Sequence, residues 1–146
     1  MNNTVTISME ETENPPWLRD TESFTLGILD KLGKHHWDLS LFFCSDSAIK
    51  KLNKQYRNLD ESTDVLSFVM GETAGERYIP GDIVISPEKA KENADIFGVT
   101  PMEELHRLII HGILHLTGMD HATNDPDEPM LRLQEKLLRE VPGGEQ

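Results

Sequence analysis

Apolar and polar positions follow two different periods along this chain. Strict alternation predicts a strand with one buried face, and apolar residues that return every three or four positions predict an amphipathic helix. Strands are predicted on this basis at 5–9, 39–44, 64–70 and 82–86. Helices are predicted at 21–35, from Ser45 or Asp46 to about Arg57, at 87–98, from Thr100 through the segment containing His111 and His115, and at 126–141. The glycine-bearing segment GETAGERYIPG, 71–81, is predicted to be a loop between the last two strands.

The predicted order, β-α-β-α-β-β-α-α-α, indicates a mixed α/β (α+β) fold. We expect one small mixed sheet of about four strands packed with about five helices. The 146 residues, 37% hydrophobic and 27% charged, are typical of a globular chain. We therefore expect residues 1–146 to form a single domain. The N-terminal segment does not have the pattern of a secretory signal and the apolar runs are too short to span a bilayer, so no membrane association is expected.

Charge and cysteine content narrow the function. With 14 basic and 26 acidic residues, the formal net charge is −12. Such a chain repels nucleic acid at long range, so an RNA substrate requires a local basic groove. We expect no DNA substrate. Cys44 is the single cysteine, which fits a reducing cytoplasm; it ends an apolar strand and is predicted to be buried.

The segment HGILHLTGMDH, residues 111–121, carries the clearest chemical pattern. His111 and His115 are one helical turn apart, so their side chains point the same way. Gly118 can end the helix in a left-handed turn, which would bring His121 back to the same point. Three converging imidazoles predict a site for one metal ion, and three protein ligands leave a coordination position open, as in catalytic zinc sites.

The other histidines and Asp120 are not expected to bind the metal. Asp120 is a candidate acceptor for an N–H of one of the ligands. His106 lies five residues before His111, off the metal-facing side, and is expected to be structural or exposed. His35 and His36 are expected at a solvated helix end.

The motif lacks one residue of the zinc-protease pattern H-E-x-x-H-x-x-G-x-x-H, because Gly112 stands where that pattern has glutamate. In a protease this carboxylate deprotonates water and protonates the amine leaving group. Phosphodiester cleavage depends more on charge neutralisation and alignment, which a metal and an arginine can supply. A zinc hydrolase acting on peptides or small amides remains an alternative, as does a non-catalytic, zinc-stabilised ribosome-associated factor.

The candidate arginine is Arg57, in NKQYRNLDESTDVLSF at 53–68. On a polar turn it could form two hydrogen bonds to a phosphate. Considered on its own it is more simply a surface arginine paired with Asp60 or Glu61. Asp64 could cap a turn, orient Arg57 or bind a group just outside the metal ligands, and the sequence does not choose among these.

Three segments resemble the YbeY family of bacterial metal-dependent endoribonucleases: NKQYRNLDESTDVLSF, GDIVIS at 81–86 and HGILHLTGMDH. The resemblance extends over about residues 40–140. The resemblance implies a fold akin to zinc proteases around the metal helix, with one Zn²⁺ held by His111, His115 and His121. It also implies catalytic roles for His115 and Arg57.

The activity implied by the resemblance is single-strand-specific RNA cleavage in the cytoplasm. Its implied role is maturation of the 3′ end of small-subunit (16S) ribosomal RNA and quality control of ribosomes, with rRNA and the small subunit as partners. A local positive cleft would then be formed by the metal and Arg57 with Lys50, Lys54 or Arg77 as further candidates.

Overall fold

The computed structural model describes residues 2–12, 14–59, 63–121 and 123–141. These ranges contain four strands and five α-helices in the predicted order, together with a short 3-10 helix at Pro16–Leu18. The strands are β1 (Thr4–Glu10), β2 (Asp38–Cys44), β3 (Val65–Ala74) and β4 (Arg77–Ile85). The helices are α1 (Thr21–Lys31), α2 (Asp46–Arg57), α3 (Pro87–Phe97), α4 (Pro101–Leu116) and α5 (Pro129–Glu140).

The four strands form one mixed sheet in the order β1-β2-β4-β3. β1, β2 and β4 are parallel, whereas β3 pairs antiparallel with β4 and lies at the edge. Helices α1 and α2 follow the two parallel strands β1 and β2, because a helix is the usual way to return the chain for a parallel pairing. The mixed sheet of about four strands with about five helices is thus confirmed.

The segment predicted to be a loop, residues 71–81, is instead mostly strand. β3 runs on to Ala74 and β4 begins at Arg77, so the two strands form a hairpin around a tight turn with Gly75 at φ 64°. The outer half of β3 is exposed on both faces, with Val69 66% and Met70 47% accessible. Pairing there depends on backbone hydrogen bonds, so polar residues and glycines are tolerated. The sequence of this segment therefore lacks the apolar alternation that would reveal a strand.

Two helices are shorter than predicted. α1 ends at Lys31 rather than at 35, since Gly33 adopts a left-handed conformation (φ 71°) that stops the helix. α5 begins at Pro129 rather than at 126, and proline is favoured in the first helical turn. At the start of α2, the N-cap is Ser45, whose hydroxyl accepts a hydrogen bond from the amide of Ala48 at 3.1 Å.

The sheet is covered on both faces. The larger core lies between one face and helices α1, α4 and α5, and includes Leu41, Phe43 and Ile83. The smaller core lies under α2 and contains Cys44, Ile49, Leu66 and Val84. As predicted, Cys44 is fully buried, and burial raises the pKa of its thiol to about 11.

His106 on α4 is fully buried in the larger core. Its ring stacks on Phe24 of α1, with the centroids 3.8 Å apart and the planes 11° from parallel. Neither ring nitrogen has a hydrogen-bond partner among the described residues. Burial lowers the pKa of His106 to about 4, and Asp20 opposes this only in part. His106 is therefore a structural, uncharged residue, and of the two alternatives left by the sequence, exposure is wrong.

Replacing His106 with phenylalanine is expected to stabilise the protein by about 1–2 kcal/mol at neutral pH, because two unsatisfied polar atoms leave the core. The folded-state pKa lies below the unfolded value, so the stability that depends on a neutral His106 is present above about pH 6.5 and lost toward pH 4. The advantage of His106→Phe should therefore grow between these values. Urea unfolding at pH 7.5 and pH 5 measures both, with His35→Phe as an exposed control. A constant difference between variant and wild type would contradict this account.

Candidate metal centre

His111 and His115 project from the same face of α4. Their Nε2 atoms are 3.1 Å apart, and their rings meet edge to face with centroids separated by 4.6 Å. The spacing of four residues places both side chains over one turn of the helix, as the sequence predicts. Thr100 caps the start of this helix by accepting a hydrogen bond from the amide of Glu103 at 3.1 Å.

His121 reaches the pair from beyond the end of α4. The helix ends at Leu116, and Gly118 takes a positive φ of 97°, which reverses the chain. The Met119 amide closes this turn by donating to the Leu114 carbonyl at 3.1 Å. The His121 ring centroid lies 5.4 Å from that of His111 and 5.9 Å from that of His115. One donor atom from each of the three residues lies within 4.8 Å of the other two.

Each Nδ1 atom of this triad faces an oxygen acceptor. Nδ1 of His111 is 2.7 Å from Gln134 Oε1, Nδ1 of His115 is 3.1 Å from the Met119 carbonyl, and Nδ1 of His121 is 2.8 Å from the Thr123 carbonyl. An oxygen acceptor retains a proton on the nitrogen that faces it. All three Nε2 lone pairs are therefore available to one ion, and the short contact between His111 and His115 is what two ligand atoms of one metal would make.

The side chain of Asp120 does not serve as the acceptor that its position suggested. Its Oδ1 accepts from the backbone amide of His121 at 2.8 Å, so it stabilises the turn and not a ring tautomer. The acceptor that sequence reasoning missed is Gln134 on α5. It lies 23 positions after His111, and neither a spacing nor a motif connects the two residues.

The surroundings of His115 favour the protonation state that a metal ion requires. Burial lowers the pKa of His115, and the neighbouring His111 lowers it further. Metal ligation requires neutral imidazole, so His115 is held in the form that binds. The three histidines can hold one metal ion.

Gly112 explains the absence of the protease glutamate in physical terms. A Cβ atom at this position would lie 2.8 Å from Cγ2 and 3.0 Å from Cδ1 of Ile83, which is fully buried in the sheet. The Gly112 carbonyl also accepts a hydrogen bond from Ser67 of β3 at 3.2 Å. A side chain at this residue would therefore require α4 or Ile83 to shift.

Arg57 is not brought against the histidines by any hydrogen bond or ion pair among the described residues. It is exposed at the last position of α2, and the neighbouring Tyr56 packs edge-on against Phe68 of β3, with ring centroids 5.3 Å apart. Ser67 comes just before Phe68 in β3, so its side chain lies on the opposite face of the sheet, where it donates a hydrogen bond to the Gly112 carbonyl of α4. Strand β3 thus lies between the end of α2 and α4. Asp60 and Glu61, which the sequence suggested as surface partners of Arg57, lie outside the described residues.

Two other candidates have structural roles. Arg77, a candidate for the positive cleft, forms an ion pair with Asp38 of β2 at 2.5 Å and holds the pKa of that carboxyl below its usual value. Asp64 accepts a hydrogen bond from Asn93 of α3 at 3.0 Å. It therefore ties the start of β3 to α3 and does not orient Arg57.

The small mixed sheet, with α4 packed against it and three histidines converging at the end of that helix, defines an α/β protein with a candidate metal-binding site. The family model described as "Endoribonuclease YbeY" matches residues 3–142. The chain belongs to the endoribonuclease YbeY family.

Relatives support this assignment over nearly the whole chain. A Treponema denticola protein named endoribonuclease YbeY is 48% identical and covers 94% of this chain and 93% of its own length. A Treponema pallidum protein of the same name is 46% identical, and the match covers 93% of this chain and 88% of that protein. A solution structure of a Thermotoga maritima protein is 31% identical, with a TM-score of 0.65 over 97% of this chain and 96% of that one. Across the described ranges, no helix combines the length and apolar character needed to cross a membrane.

Proposed function

We propose that this chain is a zinc-dependent endoribonuclease that cleaves single-stranded RNA in the cytoplasm. Its proposed substrate is the precursor of small-subunit ribosomal RNA at the 3′ end, with a further role in ribosome quality control on the small subunit. The observation that carries the proposal is the convergence of three Nε2 lone pairs from His111, His115 and His121 in a family whose members are named endoribonucleases.

The geometry of the histidines suits zinc. Imidazole nitrogens about 2.0–2.1 Å from a tetrahedral zinc ion lie about 3.3 Å from each other. The 3.1 Å between Nε2 of His111 and Nε2 of His115 is close to that value. Zinc held by the three residues would supply Lewis acidity beside the scissile phosphate. The proposed catalytic contribution of His115 is to hold the ion through Nε2 while its Nδ1–H remains bonded to the Met119 carbonyl.

The charge distribution of α2 supports an RNA substrate for this acidic chain. Its one acidic residue is Asp46, and four of its residues are basic: Lys50, Lys51, Lys54 and Arg57. All four basic side chains are exposed, which gives a local positive surface on a chain of net charge −12. Arg57 is the basic residue of this helix nearest in sequence to β3, and we propose that its guanidinium binds the RNA phosphate at the cleavage point.

The contact between Gly112 and Ile83 weighs against the peptide hydrolase. Without a carboxylate at position 112 the site lacks the group that protonates an amine leaving group in the zinc proteases with this motif. A phosphodiester substrate already carries the negative charge that a metal and an arginine neutralise.

The proposal is tested with an end-labelled single-stranded fragment from the 3′ end of small-subunit rRNA. Protein stripped of metal and the same protein reloaded with zinc are compared on this RNA, on its duplex form, on DNA of the same sequence and on a peptide panel. We expect zinc-dependent cleavage of the single-stranded RNA alone. The end groups of the products distinguish attack by the 2′-hydroxyl, which gives a cyclic phosphate, from attack by water.

Two results would overturn the proposal. Cleavage of peptides but not of RNA by the reloaded protein would establish the amide hydrolase. Loss of the folded state on stripping, with no cleavage by the reloaded protein, would establish a non-catalytic factor in which the ion only fastens α4 to the following turn.

Replacing Arg57 with alanine is expected to lower kcat/KM for RNA by about 100-fold, because one charged donor to the phosphate is removed. Arg57→Lys should recover only part of this loss, since an ammonium group cannot form the paired hydrogen bonds of guanidinium. Steady-state cleavage of the labelled fragment gives both values. Arg132, also exposed but on α5, provides the matched control Arg132→Ala. Equal losses of kcat/KM in the two alanine variants would show that Arg57 contributes only nonspecific positive charge.

A further inference from the structure

Gln134 connects α5 to the candidate metal centre. Its side chain is 7% exposed, and its Oε1 lies 2.7 Å from Nδ1 of His111. The other two histidines are held by backbone carbonyls of the turn that follows α4, from Met119 and Thr123. Among the described residues, His111 is thus the member of the triad whose proton acceptor is a side chain from a separate helix.

The orientation of the Gln134 amide is fixed by its neighbour. Its Nε2 donates to Oε2 of Glu135 at 3.3 Å, and a carboxylate oxygen only accepts. The NH₂ group must therefore face Glu135, and the carbonyl oxygen must face His111. A reversed amide would place an N–H donor against Nδ1 of His111 and draw the ring proton to Nε2, the atom needed for the metal.

Glu135 is itself held by Arg107 of α4. The guanidinium donates to Oε2 at 2.9 Å and to Oε1 at 3.1 Å, a paired arrangement that fixes the carboxylate plane. Arg107 is anchored in turn by Glu104 at 2.8 Å and Glu103 at 3.2 Å on its own helix. The contacts thus form a closed path that leaves α4 at Arg107, passes through Glu135 and Gln134, and returns to α4 at His111.

We propose that Gln134 is a positioning residue that holds His111 in its metal-binding tautomer, and that Glu135 and Arg107 fix the amide in the required orientation. Metal affinity is thereby coupled to one hydrogen bond from α5 and not to the packing of that helix as such. The inference rests on the proposed function in that the triad must bind zinc. An outer hydrogen bond of this kind typically changes metal affinity by about 10–100-fold.

Gln134→Leu, which keeps most of the volume and removes the acceptor, is compared with Gln134→Glu, which keeps an acceptor. Leu133→Ala, at a side chain that packs on the same core, is the control for loss of α5 packing. Zinc affinity is measured by competition with a chromogenic chelator. The His111 tautomer is read from ¹⁵N NMR of the metal-free protein. We expect Gln134→Leu to bind zinc about 10–100-fold more weakly and to populate the Nε2–H tautomer of His111. Gln134→Glu and Leu133→Ala should stay within a few-fold of wild type.

Wild-type affinity and tautomer in Gln134→Leu would overturn the inference. So would an equal loss of affinity in Leu133→Ala, because packing alone would then account for it. Failure of the proposed function gives a different result: the wild-type protein would bind zinc but cleave no RNA. In that case the affinity and tautomer measurements still decide the role of Gln134.

Discussion

His115→Ala is expected to reduce RNA cleavage by at least about 1,000-fold, a loss of roughly 4 kcal/mol of transition-state stabilisation. The variant removes one of the three proposed ligands, whose Nε2 lies 3.1 Å from Nε2 of His111. We expect the two remaining imidazoles to bind the ion much more weakly than three, because catalytic zinc sites use three protein ligands. Zinc content after dialysis and cleavage of the labelled rRNA fragment should therefore fall together.

The control for this prediction is His35→Ala, which alters an exposed histidine outside the triad. Both variants should unfold at denaturant concentrations similar to that of metal-free wild type, since His115 is only partly buried. If His115→Ala and wild type, purified identically, cleave at equal rates, the activity belongs to a contaminating nuclease or to a metal-independent site.

Gly112→Glu, which restores the protease motif, is expected to destabilise the fold by more than about 3 kcal/mol. The new Cβ would stand 2.8 Å from Ile83 Cγ2, and overpacking of a core typically costs about 1–3 kcal/mol. The carboxylate would also enter an apolar contact between helix and sheet with no partner, which costs several kcal/mol more. Urea unfolding of the metal-free protein measures the loss, and no peptidase activity should appear.

A double-mutant cycle isolates the cause. Gly112→Ala alone should destabilise less than Gly112→Glu, because it adds only the overpacking. Combining Gly112→Ala with Ile83→Ala should cost less than the sum of the two single variants, since the shortened side chain makes room for the new methyl group. A Gly112→Glu protein with the unfolding midpoint of wild type would show that the helix shifts away from the sheet at little cost.

The histidine triad could be predicted because its information is local. His111 and His115 are related by one helical turn, and Gly118 supplies the reversal that brings in His121, so spacing alone defines their convergence. The roles of these residues and of Arg57 in catalysis stay predictions. The acceptor for His111 could not be found in this way, because Gln134 contacts it through the packing of two helices.

The errors in the fold have the same origin. The hairpin arms at 71–81 were predicted as loop because glycines, a proline and polar residues interrupt any regular alternation, while the evidence for a strand lies in backbone pairing such as Glu72 with Ile79. His106 has ordinary helical spacing in the sequence. Only the packing of α1 on α4 shows that its ring is sealed against Phe24.

The burial of Cys44 makes the chain convenient for spectroscopic labelling. With its thiol pKa at about 11, only roughly one molecule in ten thousand carries the reactive thiolate at pH 7, and the sulfur is fully covered by the core under α2. A maleimide dye will therefore react with an introduced surface cysteine and leave the native one untouched while the protein is folded. With one cysteine introduced on α5 and one at the end of α2, the distance between them can thus be followed during metal loading without first replacing Cys44.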